Sequence, residues 1–197
     1  MSILDKVIAK ITPPESEEAR ASARAKANAV AEPGDWLSLA LDHHLQIEEA
    51  IAEIEGATDA SSRRAAQKDL AIILTGHAGA EETVLYPALA DNGEMAHADM
   101  GYGEQVAVKM QMAALEKLDP MSDDYLDKLE HIRGALAHHM YEEEGTWFIA
   151  LKEKASPADQ QVLTARFAEE VDRYVGGKGG AEQTSARSDF DEPRSFA

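Results

Sequence analysis

The chain contains no cysteine, which excludes disulfides, thiolate metal sites and cysteine nucleophiles together. Aromatic residues are sparse at 6%, so any core must be mainly aliphatic. Basic residues are also scarce: 19 Lys and Arg stand against 37 Asp and Glu, a formal charge of −18. That surplus argues against nucleic acid or an anionic membrane as the main partner. No apolar run approaches a membrane span, and the opening "MSILDKVIAK" lacks the apolar core and small-residue cleavage site of a secretion signal. The expected location is cytoplasmic. What is present is a 44% hydrophobic chain of 197 residues, long enough for one well-packed domain with appendages.

Strand-like alternation is missing, and apolar residues recur at threes and fours almost throughout. Ile3, Leu4, Val7, Ile8 and Ile11 fall on one face of a first amphipathic segment. Thr12, Pro13 and Glu15 then form a capping signal for an alanine-rich helix running to Ala31. Four longer segments follow. The first runs from Trp36, capped by Asp35, to Glu55. The second runs from Ser61 to Ala90, with Pro87 expected to bend its last turns. The third runs from Gly103 to Leu118, and the fourth from a Ser122 cap to Lys154. The connection from Asp91 to Tyr102 is the longest and has room for a short helix. A last helix opens at Ser156-Pro157 and stops at Gly176. The expectation is an all-α protein, with an antiparallel up-down-up-down four-helix bundle over 35–155. Around it lie an N-terminal helical extension (1–34), a C-terminal helix (156–176) and a tail (177–197) too poor in apolar residues to fold. The terminal helices are the expected contacts for a protein partner or a homodimer.

Ionisable residues interrupt the apolar stripes. The first long segment reads Ala40, His44, Ile47, Ile51, Ile54; the second Leu70, Ile73, His77, Glu81, Val84 or Leu85, Ala88. The fourth reads Leu129, Ile132, Leu136, His139, Glu143, Trp147, Ala150, repeating the His-x-x-x-Glu pair of the second. Two buried carboxylates need compensation. Either the pairs satisfy each other in a partly wet core, or they hold a metal ion whose charge neutralises them. Two matched pairs plus a third inward histidine favour the metal. Nitrogen and oxygen donors without sulfur suit iron, manganese or zinc. His43, His131 and His138 fall beside the stripes, His97 falls in the loop, and Glu142 and Glu144 fall off the seam. Glu48 reads as a solvated-face residue, and Met110 and Met112 as core filler.

The ordered set in "DHHLQIEEAIAEIE", "HAGAEETVLYPAL" and "HHMYEEEGTWF" resembles the hemerythrin-like, or hemerythrin HHE cation-binding, domain over roughly residues 35–155. The resemblance implies a four-helix bundle around two non-haem irons, oxo- or hydroxo-bridged. His44, His77 and His139 would be terminal ligands, with Glu81 and Glu143 bridging. It also implies binding or reaction with dioxygen, peroxide or nitric oxide, in sensing or oxidative-stress handling. The alternative is a metal-free or iron-storing bundle acting as an interaction module. The third helix departs from the family pattern, with Gln105 where a histidine is expected. Three outcomes stay open: Gln105 ligates directly, hydrogen-bonds a metal-bound water, or leaves a position open, with fewer metals or another divalent ion bound. Glu104 could substitute if the helix start were rotated.

Overall fold

Residues 15–175 are described by the computed structural model, and among them only helices and their connections occur. The described residues form six helical rods, two of them interrupted by a π turn. Helix α1 spans Glu17–Val30, and α2 spans Trp36–Gly56. Helix α3 covers Ala60–Ala80, passes through a π turn at Glu81–Leu85 and continues over Tyr86–Asp91. Helix α4 spans Met95–Leu115. Helix α5 covers Asp123–Glu142, a π turn at Glu143–Trp147 and Phe148–Lys154. Helix α6 spans Pro157–Val175. Helices α2 to α5 form the bundle, and their short connections make each helix antiparallel to the one before. Among the described residues, no helix is long and apolar enough to cross a membrane.

Three caps follow side-chain chemistry. Asp35 accepts from the Ser38 N–H at 2.7 Å, Ser122 from Tyr125 at 3.2 Å and Ser156 from Asp159 at 3.2 Å. The N-terminal extension differs from expectation. Its helix is capped by Ser16, which accepts from Ala19 N–H at 3.1 Å, while Glu15 instead lies 2.8 Å from His138. Thr12, Pro13, the stripe from Ile3 to Ile11 and the 177–197 tail lie outside the described residues.

Helix α4 starts at Met95, not near Gly103, and ends at Leu115, not Leu118, so the expected loop is mostly helix. Its buried line opens with Ala98 and Gly101, which are too small to register as hydrophobic periodicity. His97 is therefore helical, and its ring stacks on Trp147 at 5.6 Å. Met110 is 70% exposed rather than core, because it lies about 200° around the helix from buried Met112.

The two π turns change the phase of α3 and α5. In each, the residue after the turn donates its N–H to the carbonyl five positions back: Tyr86 to Glu81, and Phe148 to Glu143. The extra residue slips the buried face by one position. Leu89 is therefore buried where the α-helical stripe predicts Ala88, and Leu151 where it predicts Ala150. Pro87 follows the first turn, but the second forms without proline, so proline is not the common cause.

Two apolar layers result. One gathers Trp36, Leu37, Leu41, Tyr86, Leu89, Trp147 and Phe148, together with Ala27 of α1 and Phe167 of α6. The other gathers Ile47, Ile51, Leu70, Leu74, Val108, Met112, Leu129 and Leu136. In sequence, His44, His77 and Gln105 fall where one layer gives way to the other, and His139 falls beside Met140, the last residue of the second layer on its helix.

Candidate metal centre

His44, His77, Glu81 and Glu143 are fully buried and each bring one ligand atom within 4.8 Å of the others. Glu81 Oε1 lies 3.0 Å from His77 Nε2 and 3.9 Å from His44 Nε2, and Glu143 Oε2 lies 3.3 Å from His44 Nε2. None of these four atoms has a hydrogen-bond partner. An unsatisfied buried polar atom costs about 1–3 kcal/mol, so four converging on one point mark a place built for a cation.

The other oxygen of each carboxylate faces a second group. Tyr86 Oη lies 3.3 Å from Glu81 Oε2, 3.0 Å from Glu143 Oε1 and 3.2 Å from His139 Nε2. Gln105 Nε2 donates to Glu81 Oε2 at 2.6 Å and lies 3.2 Å from His139 Nε2. Glu81 and Glu143 thus each present one oxygen to either side of a two-sided centre. All six residues expected at the centre are buried and converge there, four in the first group and Gln105 and His139 in the second.

Carboxylates also hold the far side of two imidazoles. His44 Nδ1 is 2.8 Å from Glu144 Oε1, and His139 Nδ1 is 2.7 Å from Glu104 Oε2. A carboxylate only accepts, so each Nδ1 carries the proton and Nε2 points into the centre. Glu104 therefore orients His139 instead of replacing Gln105. Glu144, expected off the seam, is 1% exposed, because Ala23 and Arg24 of α1 cover the π turn that carries it. Glu144 also accepts from Arg24 of α1 at 2.8 Å.

Tyr86, Glu144, Glu104 and Arg24 escape stripe reading for different reasons. By α-helical phasing Tyr86 lies about 140° from Glu81; the π turn brings it above Glu81. Room for its ring comes from Gly101 of α4, where an added Cβ would lie 2.7 Å from Tyr86 Cζ. Gly101→Ala is therefore expected to destabilise the fold by about 1–3 kcal/mol through overpacking. That outweighs the roughly 1 kcal/mol of helix propensity gained over glycine. Urea unfolding checks it, and equal or higher stability would show that Tyr86 has room to move.

Burial opposes charge at His44, His139 and Glu81, but neighbours of opposite charge sustain it. Burial alone would push His44 down, yet Glu143, Glu144 and Glu81 hold it well above the usual histidine value. His139 opposes the same burial and is raised to about 10 by Glu143, Glu104 and Glu81. Burial would push Glu81 up, but His77, His139 and His44 hold it well below the ordinary carboxylate value. His43, beside the site, is pushed down to about 4 by burial and by His77. In the metal-free protein, protons on His44 and His139 do the neutralising that a cation would do.

A pH dependence follows. The raised histidines stabilise the fold fully below their unfolded value of about 6.5, and that contribution is lost as pH rises through the folded values, about 10 for His139. Glu81 acts oppositely: its contribution is present above the ordinary carboxylate value and is lost as pH falls through the depressed one. Chelator-treated protein is expected to melt at progressively lower temperature from about pH 7 to pH 10. Metal-loaded protein should resist that loss, because the cation displaces the Nε2 protons. Thermal melts at several pH values check this, and parallel curves for the two forms would contradict it.

A second group, Glu15, His138 and Glu142, is only half-buried, and His138 is already paired with Glu15.

Among curated proteins, a "DNA nickase" from Nostoc sp. (strain PCC 7120 / SAG 25.82 / UTEX 2576) is 25% identical over 108 residues, 53% of this chain. The chain spans only 31% of that relative's length. No solved structure matches. The sequence model of the "Hemerythrin HHE cation binding domain" matches residues 35–151, which contain every residue converging on the centre except Arg24 of α1. With a buried His/Glu cluster at the heart of an all-α bundle, the chain belongs to the hemerythrin HHE cation-binding domain family.

Proposed function

We propose that this chain is a non-haem di-iron protein that binds or reacts with a small oxidant: dioxygen, peroxide or nitric oxide. The observation that carries the reading is the pair of shared carboxylates, each with one oxygen toward each group, beside four unpartnered donor atoms. A metal-free polar core would leave those atoms in ion-pair contact but without a hydrogen bond. The first ion would be held by His44, His77, Glu81 and Glu143. The second would be held by His139, Tyr86 and the other oxygens of the two glutamates. Gln105 would steady Glu81 through its amide N–H. Bound iron would supply redox chemistry and open positions for the oxidant.

The protein's own groups set the conditions for that chemistry. Glu144 and Glu104 keep the Nδ1 protons of His44 and His139 in place, leaving Nε2 free. Trp147 lies edge-on to His139 at 5.9 Å, and Phe148 stacks against His44 at 6.1 Å, so the centre has dry walls. In the metal-free chain Tyr86 Oη–H touches both glutamates and His139 and holds its proton against Glu143 Oε1, a proton it would give up on binding the second ion. Cutting DNA is not carried over from the nickase, because the match covers 31% of that protein and this chain carries a charge of −18.

The test mixes anaerobic Fe(II)-loaded protein separately with air-saturated buffer, hydrogen peroxide and nitric oxide, and follows visible absorbance. A saturable change with at least one of them, absent from Glu143→Ala, supports the reading. Bound iron that responds to none of the three would leave a redox-silent cation site and overturn the oxidant role.

A further inference from the structure

Helix α1 lies outside the segment matched by the family model, yet its Arg24 is two hydrogen bonds from His44. Ala23 and Ala27 of α1 are buried. Ala23 packs against the second π turn, where a Cβ added to Gly145 would come within 3.4 Å of its methyl. One turn of α1 therefore sits on the segment that carries Glu143 and Glu144. From it Arg24 reaches inward. Its Nε donates to Glu144 Oε1 at 3.0 Å and Oε2 at 3.1 Å, and its Nη2 donates to Oε1 at 2.8 Å. The outer edge of the same guanidinium pairs with Glu48 of α2 at 2.8 and 2.9 Å. Glu144, with a side chain 2% exposed, accepts in turn from His44 Nδ1.

We infer that α1 is a working part of the metal centre: Arg24 positions His44 through Glu144, so docking of α1 and occupancy of the His44–His77 position are linked. This rests on the metal reading above. The physical reason is charge sharing. With Arg24 in place, Glu144 is neutralised from outside, and it receives the His44 Nδ1–H as an orienting bond. Without Arg24, the buried Glu144 has only His44 for a partner and draws the imidazole toward itself. Linkage makes the effect reciprocal: if docked α1 tightens metal binding, bound metal must favour docked α1 by the same factor. Glu48, at the surface, serves Arg24 but not His44.

The experiment titrates the full chain with Co(II), following affinity and the visible spectrum of the bound ion, and measures hydrogen exchange in α1 with and without Co(II). Arg24→Ala is expected to weaken Co(II) binding about tenfold or more, within the range known for partners of metal-bound histidines. It should also alter the Co(II) spectrum. Arg24→Lys should restore part of the affinity, and Glu48→Gln should bind as the natural chain does. Co(II) should slow exchange over Glu17–Val30 in the natural chain but not in Glu144→Gln. Equal affinity and spectrum for Arg24→Ala would overturn the inference, as would an equal loss in Glu48→Gln, which would mark mere anchoring of α1. A natural chain that binds no Co(II), iron or zinc would overturn the metal reading and this linkage with it, a result distinct from either.

Discussion

Glu81→Ala is expected to lose metal at both positions, with affinity falling by at least about a hundredfold. Glu81 is the residue most deeply shared: Oε1 faces His77 and His44, while Oε2 faces Gln105, Tyr86 and the His139 side. Removing it takes one donor from each side. It also leaves His44 and His139 without a carboxylate that sustains their positive charge, so the metal-free variant should lose the stability of that network as well. Metal per chain after loading and gel filtration is the measurement. Metal retained at the natural stoichiometry would mean that the cation is held elsewhere. Glu130→Gln, which breaks an exposed pair with Arg133, is the matched control and should retain all metal.

The second large effect is expected from Tyr86→Phe. The substitution keeps the ring that Gly101 accommodates and removes only Oη, which touches Glu81, Glu143 and His139. The second ion should bind about tenfold more weakly or worse, while the first binds normally. The ferric protein should also lose any visible band arising from a phenolate on iron. The metal-free fold should weaken by only about 1 kcal/mol, the worth of a typical hydrogen bond. Calorimetric titration resolves the two binding steps. Two unchanged steps with an unchanged spectrum would show that Tyr86 is a hydrogen-bonding neighbour and nothing more.

These two residues also divide what the sequence discloses from what it hides. Glu81 is legible because it follows His77 by one α-helical turn, and the pair repeats at His139 and Glu143. Ordinary phasing puts all four, with His44 and Gln105, on inward faces, and all six are buried at the centre. Tyr86 is hidden because the chain leaves α-helical phase immediately after Glu81. A single π turn rotates everything beyond it by one position, and no residue type announces such a turn. Glu144 is hidden because what buries it is α1, far away in the sequence. The early start of α4 is hidden because Ala98 and Gly101 bury surface without hydrophobic bulk. Arg24 is hidden because long-range pairing between α1 and α5, 120 residues apart in sequence, leaves no periodic trace. The pattern names the groups that converge at the centre. The π turns and the added helix determine which further groups orient them.

The central claim is that the two-sided centre holds two ions. The most direct measurement is iron per chain in full-length protein loaded anaerobically with Fe(II), freed of excess metal and then oxidised in air, with the visible spectrum recorded on the same sample. Two irons per chain, a new visible band and a higher melting temperature than the chelator-treated protein are the predicted result. A colourless protein that retains no iron and melts at the same temperature with and without the loading step would contradict it.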